Sequence, residues 1–129
     1  MINELNFNEV KILKFKDLGL CKEILSSIND IGYKEPSEIQ QKAIPSILMG
    51  RDILGCAQTG TGKTGSFIMP LIEILNSGNS KSRMPRSLIL APTRELAMQV
   101  AEEFNFINKY LKLQMALLIG GVSFNEQDN

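Results

Sequence analysis

Residues 55–67 read Gly-Cys-Ala-Gln-Thr-Gly-Thr-Gly-Lys-Thr-Gly-Ser-Phe, and their types suit the binding of phosphate. Gly60 and Gly62 permit backbone angles that turn successive N–H groups inward, which makes a nest for anionic oxygens. Lys63 is long enough to reach the β- and γ-phosphates of a nucleotide, and the Thr64 hydroxyl is a ligand for magnesium. A helix starting near Lys63 adds the positive end of its dipole to the same place. The usual phosphate-loop pattern is Gly, four residues, then Gly-Lys-Ser/Thr. Here the first glycine position holds Ala57, giving Ala57-Gln58-Thr59-Gly60-Thr61-Gly62-Lys63-Thr64. The competing reading is a plain glycine-rich turn between a strand and a helix.

Such a loop works only if a strand delivers it and a helix receives it. Asp52-Ile53-Leu54-Gly55-Cys56 reads as a short buried strand, and a helix is expected from about Lys63 to Leu75, kinked by Pro70. Ser87–Ala91 and Met115–Ile119 are two further continuous apolar runs, the mark of parallel strands covered on both faces. Between them, Thr93 to Tyr110 carries Leu96, Ala97, Val100, Ala101, Phe104 and Ile107 on one helical stripe. Upstream, Leu20, Ile24, Ile28 and Ile31 recur at helical spacing, and Gly32 stands where a helix C-terminal glycine belongs. Ser37-Glu38-Ile39-Gln40 matches a capping box, and Pro45 should end or kink that second helix at Ile44. Residues 1–14 read as an irregular lead-in and 76–86 as an exposed, mobile connection. Strand, helix, strand, helix, strand implies an α/β domain: a parallel sheet flanked by helices, with right-handed crossovers.

Composition narrows the chemistry. In 129 residues, fourteen Lys and Arg balance fourteen Asp and Glu, so any nucleic-acid site must be local. There is no histidine, which excludes His-based catalysis and His zinc sites within this sequence. Two cysteines, Cys21 and Cys56, make no disulfide framework and fit a reducing compartment. The first residues lack the basic lead and apolar core of a signal peptide, and no apolar run reaches membrane-spanning length. The expectation is a cytoplasmic chain with no membrane role.

Four segments in order carry a resemblance. They are Gly32-Tyr33-Lys34-Glu35-Pro36-Ser37-Glu38-Ile39-Gln40 with Phe15 upstream, the loop 57–64, Pro92-Thr93-Arg94-Glu95-Leu96-Ala97, and Gly120-Gly121. They resemble the Q motif (15–40), motif I, motif Ia (92–97) and GG motif (120–121) of DEAD-box RNA helicases. The resemblance runs from about Phe15 to Gly121, and in that family alanine is usual at the position of Ala57. It implies a partial RecA-like ATP-binding domain of the P-loop class, binding ATP or ADP with Mg2+. The loop residues Thr59, Gly60, Thr61, Gly62, Lys63 and Thr64 would hold the phosphates, and Thr64 the metal. Gln40 would read the base, since its amide sets an acceptor beside a donor, matching adenine N6 and N7 but not guanine. Phe15 would stack on the base, by analogy worth about 1–3 kcal/mol. The bland alternatives are that Gln40 only closes the capping box with Ser37, that Phe15 packs in the core, and that Tyr33 simply packs.

The resemblance also assigns Pro92, Thr93, Arg94, Gly120 and Gly121 to the sugar-phosphate track of RNA, single-stranded or duplex. Thr93 suits an N-cap, Arg94 offers a charge-assisted donor, and glycines permit close backbone approach. A capped helix and a plain turn explain the same residues. No Asp-Glu-Ala-Asp occurs in the sequence, so no catalytic residue is assigned, and the chain alone is expected to bind adenine nucleotide without appreciable hydrolysis. Two other readings stand beside this one. The first is another P-loop enzyme, such as a nucleotide kinase. The second is a non-enzymatic fragment that self-associates through an exposed sheet edge.

Overall fold

A computed structural model describes residues 13–78 and 84–121 of the chain. It opens with a 3₁₀ turn at Phe15–Asp17, followed by α1 at Lys22–Ile31. Helix α1 ends as its sequence requires. Gly32 adopts φ of 86°, its N–H donates to the Asn29 carbonyl at 3.0 Å, and the Tyr33 N–H donates to the Ile28 carbonyl at 3.1 Å. That paired ending fixes where Tyr33 emerges from the helix. At the other end of α1, the Cys21 N–H donates to Glu73 Oε2 at 2.7 Å, a carboxylate well placed for a helix N-terminus.

Helix α2 spans Glu38–Leu48 and starts on the expected box. The Ser37 hydroxyl accepts from the Gln40 N–H, and Gln40 Oε1 accepts from the Ser37 N–H at 3.0 Å. Of the two outcomes expected at Pro45, an end or a kink, the end does not occur: α2 runs through Pro45, whose carbonyl accepts from Met49 N–H at 3.1 Å. Ala43 and Ile44 are buried, and their packing against the next helix keeps the turn helical despite the missing donor. That helix, α3, spans Lys63–Ser77, two residues longer than the sequence suggested, and continues past the buried Pro70. Helix α4 spans Arg94–Ile107, and a 3₁₀ turn at Asn108–Tyr110 completes the expected helical stretch.

Helix α3 is the central element, packed against α2 on one side and α4 on the other, while α1 lies against α4. The core is one cluster built from Ile24, Ile28, Ile44, Ile68, Met69, Ile72, Phe104 and Ile107, together with Phe15 and the leucines beside it. At about 25 cal/mol per Å² of apolar area removed from water, these large side chains supply most of the stabilisation. The α4 stripe is buried from Val100 to Ile107, but Leu96 at its start stays exposed.

The three apolar runs behave differently. Among the described residues no strand forms at 52–56, 87–91 or 115–119, so the expected parallel sheet is not present there. Exposure alternates along the runs: Leu54 is 93% exposed beside Ile53 at 42%, and Leu90 84% beside Ile89 at 39%. Ile53 and Ile89, the less exposed of each pair, are still exposed, so neither run has a covered face. A strand also needs a hydrogen-bonded neighbour about 4.8 Å away, and the runs do not supply one another with it.

Candidate functional site

The loop of residues 57–64 enters α3 through two left-handed glycines, Gly60 and Gly62, both with φ of 80°. At those angles an L side chain is strained, so the nest geometry rests on glycine. Gly62 is also the residue that caps α3. Lys63 Nζ donates to the Ala57 carbonyl at 2.5 Å, which folds its ammonium back across the mouth of the loop. Thr61 Oγ1 donates to the Gln58 carbonyl at 2.7 Å and tightens the turn from within. The Thr64 side chain is half-buried at the first turn of α3, and Thr59 is exposed at the tip.

Gln40 meets this loop directly. Its side chain is buried, its Nε2 donates to the Gly62 carbonyl at 3.1 Å, and its Oε1 closes the α2 capping box. A Cβ at Gly62 would collide with the Gln40 amide, so the glycine is required for this contact as well as for its φ. The capping reading of Gln40 is therefore correct, and it is also incomplete. The amide keeps one N–H and one carbonyl lone pair beyond these two bonds.

The two aromatic residues, Phe15 and Tyr33, differ in exposure. Phe15 and Tyr33 stack with centroids 6.4 Å apart and planes inclined by 18°. Phe15 is only 6% exposed and forms part of the core, whereas Tyr33 is 36% exposed and presents the outer ring. The Tyr33 hydroxyl donates to Glu103 Oε1 of α4 at 3.4 Å. Burial pushes the Glu103 carboxyl above the ordinary glutamate value, the Tyr33 bond opposing the change only in part. Burial first, and the Glu103 charge second, likewise push the Tyr33 phenol up.

At the far end of α4, Thr93 is the N-cap, its Oγ1 accepting from the Leu96 N–H at 3.2 Å. Arg94 begins the helix and its guanidinium lies on Gly121, so closely that a Cβ there would collide with it. Gly121 has φ of 86°, while Gly120 is unhindered. Pro92, Thr93 and Arg94 are all exposed. The structure thus brings Arg94 and Gly121 into one cluster on α4. Gln40 of α2 joins Gly62 and Lys63 in another at the start of α3.

Two further residues, Tyr33 and Glu103, were undervalued in the sequence. Tyr33 was legible only as a residue following a helix-ending glycine. Glu103 carried a clearer signal: it occupies the α4 stripe three residues after Val100 and four before Ile107, a charge on a face otherwise apolar. Among the described residues no group of three His, Cys, Asp or Glu side chains gathers to hold a metal.

A family model described as DEAD/DEAH box helicase matches residues 37–129. The chain is 46% identical over 114 residues to the ATP-dependent RNA helicase DeaD of Escherichia coli K12, covering 88% of this chain and 18% of that protein. It is 42% identical over 113 residues to the DEAD-box ATP-dependent RNA helicase RhpA of Helicobacter pylori B128, covering 88% and 22%. Among solved structures it resembles the RNA helicase Prp28 of Chaetomium thermophilum bound to ADP, with a TM-score of 0.82, 38% identity, and coverage of 89% and 28%. It also resembles a DEAD box protein of Methanococcus jannaschii, with a TM-score of 0.79, 40% identity, and coverage of 88% and 31%. The described fold is thus that of their RecA-like domains, and the chain spans less than a third of each of these proteins. The nucleotide-kinase alternative gives way. On the match of its sequence and of its fold, the chain belongs to the DEAD/DEAH box helicase family.

Proposed function

We propose that this chain carries the adenine-nucleotide site of an ATP-dependent RNA helicase, cytoplasmic, binding ATP or ADP with Mg2+ and contributing part of an RNA track. The observation that carries this reading is the Gln40 amide donating to the Gly62 carbonyl, because it makes a base-reading group and a phosphate loop one unit. The remaining lone pair of Oε1 can accept from adenine N6, and the second Nε2 hydrogen can donate to N7, with neither existing bond broken. Tyr33, backed by Phe15, offers its outer face to the base. Lys63 would exchange the Ala57 carbonyl for phosphate oxygens, a better partner for an ammonium. The Thr64 hydroxyl would hold Mg2+, whose charge offsets that of the β- and γ-phosphates.

Thr93, Arg94 and Gly121, with Pro92 and Gly120 beside them, would take RNA backbone phosphates without reading bases. Hydrolysis needs carboxylates that no Asp-Glu-Ala-Asp supplies in this sequence, so the chain alone binds nucleotide and does not turn it over. The bare faces of the runs at 52–56, 87–91 and 115–119 fit strands of a parallel sheet awaiting neighbours. Those same faces favour a second reading, in which copies of the chain associate through them; a concentration-independent monomer in sedimentation ends it.

Titration calorimetry with ADP and GDP tests the primary reading. ADP should bind more tightly than GDP. Lys63→Ala should weaken both, and Gln40→Ala should abolish the preference. Equal affinity of the unaltered chain for ADP and GDP would refute the adenine assignment.

A further inference from the structure

The cavity along α4 at Glu102, Asn105, Phe106 and Lys109 is shallow and open, and nothing shows what would cover it. The cluster of Asp30, Lys109 and Tyr110 is internally satisfied on the surface. Glu103 is different: a half-buried carboxylate on an apolar stripe, with no cationic partner among the described residues, whose one bonded partner is Tyr33. Retaining a charge there costs desolvation, as its raised pKa records.

We propose that Glu103 is a positioning residue for the base platform: its carboxylate holds the Tyr33 hydroxyl and so keeps that ring flat against Phe15, with its outer face turned to the adenine. This rests on the reading of the site given above. Three contacts support it. The Tyr33 ring has one side against Phe15 and its hydroxyl on Glu103, while its backbone N–H bonds the Ile28 carbonyl and fixes where the side chain starts. Glu103 Oε1 also reaches the start of α3, where a Cβ at Gly65 would lie 3.3 Å away. The Gln40 amide meets that same point, 3.1 Å from it. The base-reading amide, the ring and the first turn of the phosphate helix therefore share one junction, and Glu103 joins α4 to it. The 3.4 Å separation is long for an O–H···O bond, so the restraint it supplies is modest.

A platform held this way contributes to the base and not to the phosphates, and that separates it from a general structural role. Calorimetry of the full chain with ADP and with inorganic tripolyphosphate reads the two contributions. Glu103→Ala should weaken ADP about fivefold and leave tripolyphosphate unchanged, the loss of one modest hydrogen bond. Glu103→Gln, whose amide oxygen can accept the same hydroxyl, should restore ADP affinity. Tyr33→Phe should match Glu103→Ala, and combining them should add nothing further. In a Tyr110→Phe background Tyr33 is the one remaining tyrosine of a chain without tryptophan, so near-ultraviolet dichroism reports whether its ring loses order in Glu103→Ala. Equal weakening of both ligands, or unchanged ADP affinity in Glu103→Ala, overturns the proposal; the adenine reading stands so long as Gln40→Ala still abolishes the preference for ADP over GDP. If the unaltered chain shows no preference for ADP over GDP, the adenine reading fails and the proposal falls with it.

Discussion

The runs at 52–56, 87–91 and 115–119 are richer in apolar residues than the helices, yet the helices are what bury theirs. In α3, Ile68, Met69 and Ile72 are wholly buried, because a helix satisfies its own backbone and needs only a neighbour for one stripe. In the run 87–91, Leu88 and Leu90 face solvent, because a strand must borrow both its backbone partners and its cover. The phosphate loop lies on the boundary, with an extended run behind it and a packed helix ahead. Its geometry is nonetheless complete, since the bonds that shape it come from its own residues and from Gln40 on α2. The bonds that shape this loop need no paired strand, although Ala57 and Gln58 on its extended side accept two of them.

The largest expected effect tests that division directly. Ile68→Ala empties the centre of the helical core and should cost about 2–5 kcal/mol in urea unfolding followed by far-ultraviolet dichroism. Leu90→Ala, an equally apolar truncation in an extended run, should change stability by less than about 0.5 kcal/mol. Comparable losses would mean that the runs are covered in solution, either by one another or by a second copy.

A smaller effect is expected at the glycine pair, where neighbouring residues should differ. Gly121→Ala forces a left-handed angle on a Cβ and pushes it into the Arg94 guanidinium, a local strain of about 1–2 kcal/mol. Gly120→Ala meets open space and should be near neutral. In fluorescence anisotropy with a labelled oligouridine, Gly121→Ala should weaken binding as Arg94→Ala does, and Gly120→Ala should not. Equal effects at both glycines would return the pair to the simpler role of admitting the RNA backbone.

The geometry of the loop was more legible than the sheet for a physical reason. Phosphate chemistry is written in contiguous residues, so Gly60, Gly62, Lys63 and Thr64 announce themselves. The helix ends were legible too, at Gly32, Ser37 and Thr93, because caps are local. What escaped was whatever depends on distant partners. Pro45 suggested a stop or a kink, and with Ile44 buried α2 continues through it. Phe15 and Tyr33 could not be ranked as core and surface until their stacking was known. Glu103 gained meaning only from a hydroxyl 70 positions away in sequence. The apolar runs show the same limit from the other side, since their pattern specifies a strand that only neighbours can complete.

The smallest effect concerns how the helical layer is fastened at its rim. Asp30 at the end of α1 accepts from Lys109 Nζ and from Tyr110 Oη, each at 2.6 Å, across the turn that follows α4. The Lys109 bond first, and the Tyr110 bond second, hold the Asp30 carboxyl below the ordinary aspartate value. The bond to Asp30 in turn holds the Lys109 ammonium above the ordinary lysine value. A depressed carboxyl pKa means that the stabilisation is present above the unfolded value, near about 4, and is lost as pH falls through the lower folded value. A raised lysine pKa means that it is present below the unfolded value, near about 10.4, and is lost as pH rises through the higher folded one. Asp30→Asn should therefore melt slightly below the unaltered chain at pH 7, and the gap should close at acid pH. Salt at 1 M should narrow it as well, since the pair is exposed and screened. A gap that persists at pH 2 would show that Asp30 holds the rim through geometry that asparagine cannot copy, and not through its charge.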